Sequence, residues 1–379
     1  MIPIGLYIHI PFCERKCYYC DFNSYSGENT KIQAYLEALL KEIAFYKDEL
    51  KGHNIKTIFI GGGTPSLMDG RQVDELMNNI YRNYSLDNRA EITIESNPGT
   101  LNIDKLQEYR KAGVNRLSVG LQACQDHLLK KLGRIHNYKE FINNIEIAKK
   151  VGFSNINVDL MFGLPGQTLD EWKLSLDEIV NLDIPHISAY SLIWEEGTPF
   201  YKAYQEQQLM PLEEELELKM FHFTMEYLKE NKYHHYEISN YAKRNFECQH
   251  NHIYWKNQFY LGLGAGGHSY LQNRRFYNEG SIDGYLRMIK EGRAPVEENI
   301  KLTRKDEISE TMFLGLRLME GISIETFSNR FGESPFSIYG DKLEKLKRQE
   351  LITYNQEKIQ LTPKGIDLAN LVFTEMLLD

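Results

Sequence analysis

The sequence predicts an α/β protein: a parallel sheet built from six strand–helix units, followed by a smaller, mostly helical region. Three observations carry this expectation. Short β-branched runs alternate with amphipathic stretches from residue 4 to residue 192. Glycine-rich or polar residues sit at the carboxyl end of one candidate strand after another. After residue 197 the alternation stops and helical periodicity takes over.

The elements follow in order. The candidate strands are IGLYIHI (4–10), TIFIGG (57–62), EITIES (91–96), RLSVGLQ (116–122), INVDLMFG (156–163) and HISAYSL (186–192). Helical stretches such as 31–50, 72–84 and 138–152 lie between them; in the first, Ile32, Tyr35, Leu36, Leu39, Leu40 and Ile43 recur at helical spacing. Strand, helix, strand, repeated, means right-handed βαβ units and a parallel sheet, either open and doubly wound or a partial barrel. In both, ligands bind at the carboxyl ends of the strands. The cysteines follow strand one, GGGTP (61–65) follows strand two, Glu95 ends strand three, Gln122 ends strand four and GLPGQT (163–168) follows strand five.

A charged helix (211–232), YEISNYA (236–242) and an aromatic, glycine-rich stretch (248–270) come next. Helical stretches from residue 301, a hairpin-like ITYNQEKIQLT and a last helix (363–378) suggest a winged-helix-like module. Its 11 basic and 13 acidic residues argue against DNA reading and for a packing or lid role. The expected divisions are 1–230 for the sheet with its helices, 231–300 for the aromatic extension and 301–379 for the C-terminal module.

The net charge of −9 over 379 residues lacks the basic footprint of a nucleic-acid binder. No run of ~18 apolar residues predicts a membrane span, and the N-terminus has no signal-peptide pattern. Five cysteines, three of them between residues 13 and 20, are no disulfide framework. The expected compartment is the cytosol, where a cysteine cluster binds metal or does chemistry.

Cys13, Cys17 and Cys20 form C-x3-C-x2-C after strand one. Clustered thiolates select zinc or an iron–sulfur cluster. Zinc wants a fourth nitrogen or sulfur ligand, for which His9 is the nearby candidate. A cubane with three protein ligands leaves one iron open. Gly61, Gly62 and Gly63 let a ligand approach bare backbone, and their amides with the Thr64 hydroxyl can meet a carboxylate or amine; an ordinary strand-to-helix turn accounts for them as well. Glu95 can accept from ribose hydroxyls, or be a rim-exposed carboxylate. Arg134 can face an anionic group, or solvent.

The C-x3-C-x2-C loop, the aromatic Tyr19 before its third cysteine and GGGTP together resemble the radical S-adenosylmethionine (SAM) superfamily. That resemblance implies a partial (βα)6 barrel holding a 4Fe–4S cluster on Cys13, Cys17 and Cys20. The methionine part of SAM binds the fourth iron, and an electron from the cluster cleaves the sulfonium. Over nearly the whole chain, YIHIPFC, GGGTPS, IESNPGT, NRLSVGLQ, LGRIH and VDLMFGLPGQT resemble the oxygen-independent coproporphyrinogen-III dehydrogenase family. By that resemblance Tyr7, Tyr19, Gly62, Gly63, Thr64, Glu95, Gln122, Arg134 and Asp159 line the SAM site.

Two departures separate this chain from the dehydrogenase. Phe22 stands where the dehydrogenase has a further cysteine, and strand one starts almost at Met1 instead of after an N-terminal extension. Both resemble the HemW-type haem-chaperone branch, as does HNHIYW (250–255), which matches an H-N-x-x-Y-W signature. The resemblance implies haem at His250, Asn251, Tyr254 and Trp255 and transfer to acceptor haemoproteins; the alternative is radical oxidative decarboxylation of coproporphyrinogen III, as in the dehydrogenase. Imidazole is a common haem ligand, and Tyr and Trp can stack on a porphyrin; a surface loop packed on the barrel's open edge explains the same residues. Cys248 and His252 are rival ligands, and Cys124 is expected to be a small buried or semi-buried side chain. A homodimer is compatible with the sequence.

Overall fold

A computed structural model describes residues 1–378. Six parallel strands form its centre: β1 (Ile2–Ile10), β2 (His53–Gly62), β3 (Leu86–Ser96), β4 (Arg116–Gln122), β5 (Asn155–Phe162) and β6 (His186–Ser191). Each pairs with the next in parallel register. Helices α1 (Ile32–Phe45), α2 (Gly70–Asn83), α3 (Ile103–Lys111), α4 (Asp126–Lys131), α5 (Tyr138–Val151) and α6 (Leu169–Asn181) fill the crossovers. Their starts are written locally: Asp69 with Gln72, Asn137 with Glu140 and Thr168 with Glu171 form reciprocal caps. Helix α1 is shorter than the 31–50 stretch, because the chain turns after Phe45.

The residues expected to form an aromatic extension do not stand apart. They lengthen both edges of the same sheet. Strands β7 (His234–Glu237) and β8 (Asn240–Ala242) add antiparallel to β6. After α7 (Pro199–Gln205), α8 (Glu214–Glu230) and α9 (Gln249–Trp255), strand β9 (Tyr260–Leu263) pairs in parallel with β1. Strands β10 (His268–Leu271), β11 (Arg274–Asn278) and β12 (Val296–Lys301) follow antiparallel. The twelve strands run β12-β11-β10-β9-β1-β2-β3-β4-β5-β6-β8-β7.

Alternation sorts side chains to two faces. Leu6, Ile8, Ile58, Ile60, Ile92, Ile94, Leu117, Val119, Val158 and Leu160 face the helices and belong to one large core. The opposite face carries Thr57, Glu91, Thr93, Arg116, Ser118, Asn157, His186 and Ser188, all buried. A core barrel would fill this face with aliphatic groups; a polar one prepares a lumen for a ligand.

The C-terminal module has its own core around Phe327, Tyr339, Leu343 and Val372. Helix α10 (Ile282–Lys290) precedes it. The module contains α11 (Arg304–Gly315), α12 (Ile324–Phe331), α13 (Pro335–Arg348) and a three-stranded sheet of 322–323, 352–354 and 358–361. The expected last helix is broken at Leu368 into Pro363–Asp367 and Ala369–Glu375. Polar contacts dock the module on the sheet: Arg275 forks onto Glu310 at 2.7 and 2.9 Å, and Arg330 donates to the Asn257 carbonyl and the Tyr270 hydroxyl, both at 2.9 Å. No helix among the described residues is long and apolar enough to cross a membrane.

Candidate functional site

The cysteine loop leaves β1 at Ile10 and is sewn to the glycine turn. The amides of Gly63 and Thr64 donate to the carbonyls of Ile10 and Phe12 at 2.9 and 2.7 Å. The Gly62 amide donates to Glu95 Oε2 at 3.0 Å. These amides are therefore spent within the protein, which corrects the expectation that they would meet a ligand's carboxylate. The glycines are required by close approach. A Cβ on Gly63 would lie 2.6 Å from the Phe12 carbonyl oxygen, and one on Gly62, at φ +114°, would lie 2.6 Å from the His9 ring.

All three loop cysteines are free thiols, Cys13 buried and Cys17 and Cys20 half-buried. Two of the sulfurs are joined by a chain of hydrogen bonds. Thr64 Oγ1 donates to Cys13 Sγ at 3.6 Å and accepts from Asn97 Nδ2 at 2.9 Å; Asn97 Oδ1 accepts from Arg134 at 2.6 Å; Arg134 donates to Cys17 Sγ at 3.4 Å. Arg134 also donates to the Gly120 carbonyl. A Cβ on Gly120 would crowd Asn97, Gln122 and Arg134 together, at 3.1, 3.1 and 3.2 Å. Sequence reasoning missed Asn97, although it stands within IESNPGT. Burial pushes the Cys13 thiol up, and Cys20 to about 11, with Cys17 adding to both, so the three thiols sense one another. Tyr18 and Tyr19 pack the loop against a small apolar cluster that includes Leu128, Leu132 and Phe200.

Among the described residues, no three His, Cys, Asp or Glu side chains converge as donors to one metal ion would. Ligands to separate irons of a multi-iron cluster need not converge on one point. His9 is no fourth ligand: its Nδ1 and Nε2 are engaged by the Tyr7 hydroxyl at 3.0 Å and the Asn23 carbonyl at 2.7 Å. The donor set, three reduced thiols with hydrogen-bond donors on two sulfurs, fits an iron–sulfur cluster.

Tyr7, Gly62 and Glu95 share a cavity of about 730 Å³. Burial raises the Glu95 carboxyl to about 7, with Asp159 adding to the effect. Asp159 accepts from Ser118 Oγ at 3.2 Å and Asn157 Nδ2 at 2.8 Å, and burial raises its carboxyl too. Gln122 is buried at the end of β4 with φ +76°, past a register shift in the β4–β5 pairing.

Phe22, Tyr254 and Trp255 line the same cavity. HNHIYW is helical, on α9, and this helix is inserted against the lumen. Glu91 caps it, accepting from the amides of Gln249 and His250 at 3.2 and 3.1 Å and from Cys248 Sγ at 3.6 Å. His250 is 1% exposed. One ring nitrogen meets Thr57 Oγ1 at 2.7 Å, the other the Tyr254 hydroxyl at 2.8 Å, and Phe59 stacks on the ring with centroids 5.2 Å apart. Burial and then Arg116 lower its pKa to about 3. As folded, His250 has no nitrogen to offer iron; it orients Tyr254. Of the rival ligands, Cys248 is buried and His252 lies against Tyr236 at 5.3 Å. Asn251 does not line the cavity, and Cys124 sits in the core.

A partial parallel barrel with a three-cysteine loop at its rim is the architecture of radical SAM proteins. The model of the Radical SAM superfamily matches residues 7–179, and that of the HemN C-terminal domain matches 302–368. The chain is 38% identical to the "Heme chaperone HemW" of Lactococcus lactis, over 100% of this chain and 98% of that relative. It is 40% identical to that of Bacillus subtilis over 97% of each, and 40% identical to that of Escherichia coli over 70% of each. The structure of coproporphyrinogen III oxidase (HemN) from Escherichia coli superposes with a TM-score of 0.86 over 99% of this chain and 90% of that one; at 23% identity, this likeness concerns the fold. The chain belongs to the HemW family of the radical SAM superfamily.

Proposed function

We propose that this protein is a haem chaperone that holds a 4Fe–4S cluster and SAM at the barrel rim, binds haem in the adjoining cavity and passes it to acceptor haemoproteins. The observation that carries this reading is the cavity of about 730 Å³, a ligand-sized volume, which places Tyr7, Gly62 and Glu95 in one space with Tyr254 and Trp255. The relatives named heme chaperones span the whole length of this chain.

Cys13, Cys17 and Cys20 hold three irons, and the cluster supplies a redox centre with one open iron for the methionine part of SAM. Thr64 and Arg134 hold two of the sulfurs from outside the loop. Glu95 accepts from the ribose hydroxyls when ionised. Gly62 and Tyr7 form the wall beside it, while Gly63, Gln122, Asp159 and Tyr19 shape the rim. Tyr254 and Trp255 give flat surfaces to the porphyrin, with the HNHIYW segment, His250 and Asn251 included, as its frame. The cytosol, where thiols stay reduced, is the working compartment in this reading.

The test is anaerobic reconstitution with iron and sulfide, followed by haem titration and, separately, incubation with coproporphyrinogen III and SAM. A Soret band that saturates with haem, without protoporphyrinogen formation, is the expected result. Failure to bind haem, or turnover of coproporphyrinogen, overturns the reading. Elution volume with and without haem reads self-association into a homodimer in the same samples.

A further inference from the structure

We infer that the His268 imidazole is the protein ligand to haem iron in this cavity, an inference that rests on the haem reading above. The cavity is lined by several groups able to bind iron, and nearly all are already engaged. Both nitrogens of His9 are occupied, and so are those of His250, which does not itself line the cavity. The Tyr254 hydroxyl is paired with His250, and that of Tyr260 accepts from Arg275 at 2.9 Å.

His268 differs from all of these. It lines the cavity, is exposed to it, and has no hydrogen bond to either ring nitrogen from any described residue. Its ring is held instead by Tyr277, its antiparallel partner, with centroids 5.1 Å apart. Strand β10 is paired on both sides, so the imidazole is mounted on sheet. The approach depends on Gly262 in β9: a Cβ there would sit 2.1 Å from the His268 carbonyl oxygen. Only glycine lets the two strands close at this point. The glycines of GLGAGGHS thus serve to place a histidine on the wall of the cavity that Trp255 and Phe313 of α11 also line.

The chemistry is simple coordination. Burial, and then Arg275, lower the pKa of His268, so the ring is neutral near pH 7 and carries a lone pair. That lone pair forms the iron–nitrogen bond, a coordinated water leaves, and the iron keeps its oxidation state. Neutral imidazole is a standard protein ligand for haem.

The experiment compares wild-type protein, His268→Ala and His268→Gln, each reconstituted anaerobically and titrated with ferric haem, followed by absorption and electron paramagnetic resonance. Both variants are expected to bind haem about tenfold or more weakly, the scale on which even outer-shell partners alter metal affinity. They should also lose the axial-imidazole signature, and free imidazole should restore it in His268→Ala. Thermal melts matching wild type exclude misfolding as the cause. Wild-type affinity and spectrum in the variants overturn the assignment of His268 and leave the haem reading standing. Absence of haem binding by the wild type overturns the haem reading and, with it, this inference.

Discussion

At the barrel rim, Thr64 and Arg134 reach the sulfurs of Cys13 and Cys17 from outside their loop and leave the thiols presented. In the lumen, Thr57 and Glu91 reach into α9 and, with Tyr254 of the same helix, use up the polar atoms of His250. Both motifs are short runs of residues associated with metals. The loop delivers its donors to a ligand; the helix spends its histidine on its own placement. Hydrogen bonds to a sulfur leave its metal-binding capacity intact, because thiolate has several lone pairs. A neutral imidazole has one lone pair, and a single partner consumes it.

The sharpest break in this contrast is Cys17→Ala. It removes one of three protein ligands, and iron and sulfide measured after anaerobic reconstitution should fall to the background of the triple alanine variant. His250→Ala should act on stability instead. It strands the Thr57 and Tyr254 hydroxyls in a buried setting, at about 1–3 kcal/mol each, which denaturant unfolding reads directly. Iron content should be unchanged, and the axial signature of any bound haem should persist. Loss of that signature with stability preserved would make His250 a ligand and erase the contrast.

Asn97→Ala cuts the chain between Thr64 and Arg134 while leaving every cysteine in place. The cluster should assemble, with a shifted reduction potential in an electron paramagnetic resonance titration and SAM affinity about 10-fold weaker. The smallest effect belongs to Glu95. Its folded carboxyl binds a proton more tightly than the unfolded one, so its contribution to folding stability falls as pH rises from the ordinary carboxylate range to about 7. SAM affinity should rise over the same window, as the carboxylate forms and accepts from ribose, and level off above it. Calorimetric titration across pH 5.5 to 8.5, values set by bracketing that pKa at about ±1.5, should show this slope in wild type and none in Glu95→Gln.

Much of the fold was legible because strands in a parallel sheet must satisfy a two-residue alternation and helices a longer period. EITIES and RLSVGLQ satisfy the first, and Ile32 to Ile43 the second. The polar lumen was not read from the sequence: Glu91, Thr93 and Glu95 alternate with isoleucines, but only strand pairing shows that they share one buried face with Arg116, Ser118 and Asn157. Nor was helix α9, since seven residues hold too little periodicity to separate a helix from a loop. The edge strands β9 to β12 were hidden for another reason. The first of them pairs far away in sequence, β9 (Tyr260–Leu263) lying beside β1 (Ile2–Ile10), and the others build on it.

By itself the sequence determined the order of the βα units, the C-x3-C-x2-C loop at the end of strand one and the glycine turn beside it, because these follow from local spacing and from the missing side chain of glycine. Tertiary structure alone decided which donors remain free. His9 gives its N–H to the Asn23 carbonyl and its lone pair to the Tyr7 hydroxyl, and both nitrogens of His250 are taken by the Thr57 and Tyr254 hydroxyls, groups brought to them by strand pairing and helix insertion. His268 kept its lone pair because its neighbours on the sheet offer it a ring and not a hydrogen bond. Whether a histidine binds metal depends on what else competes for its nitrogens, and that competition exists only in the folded chain.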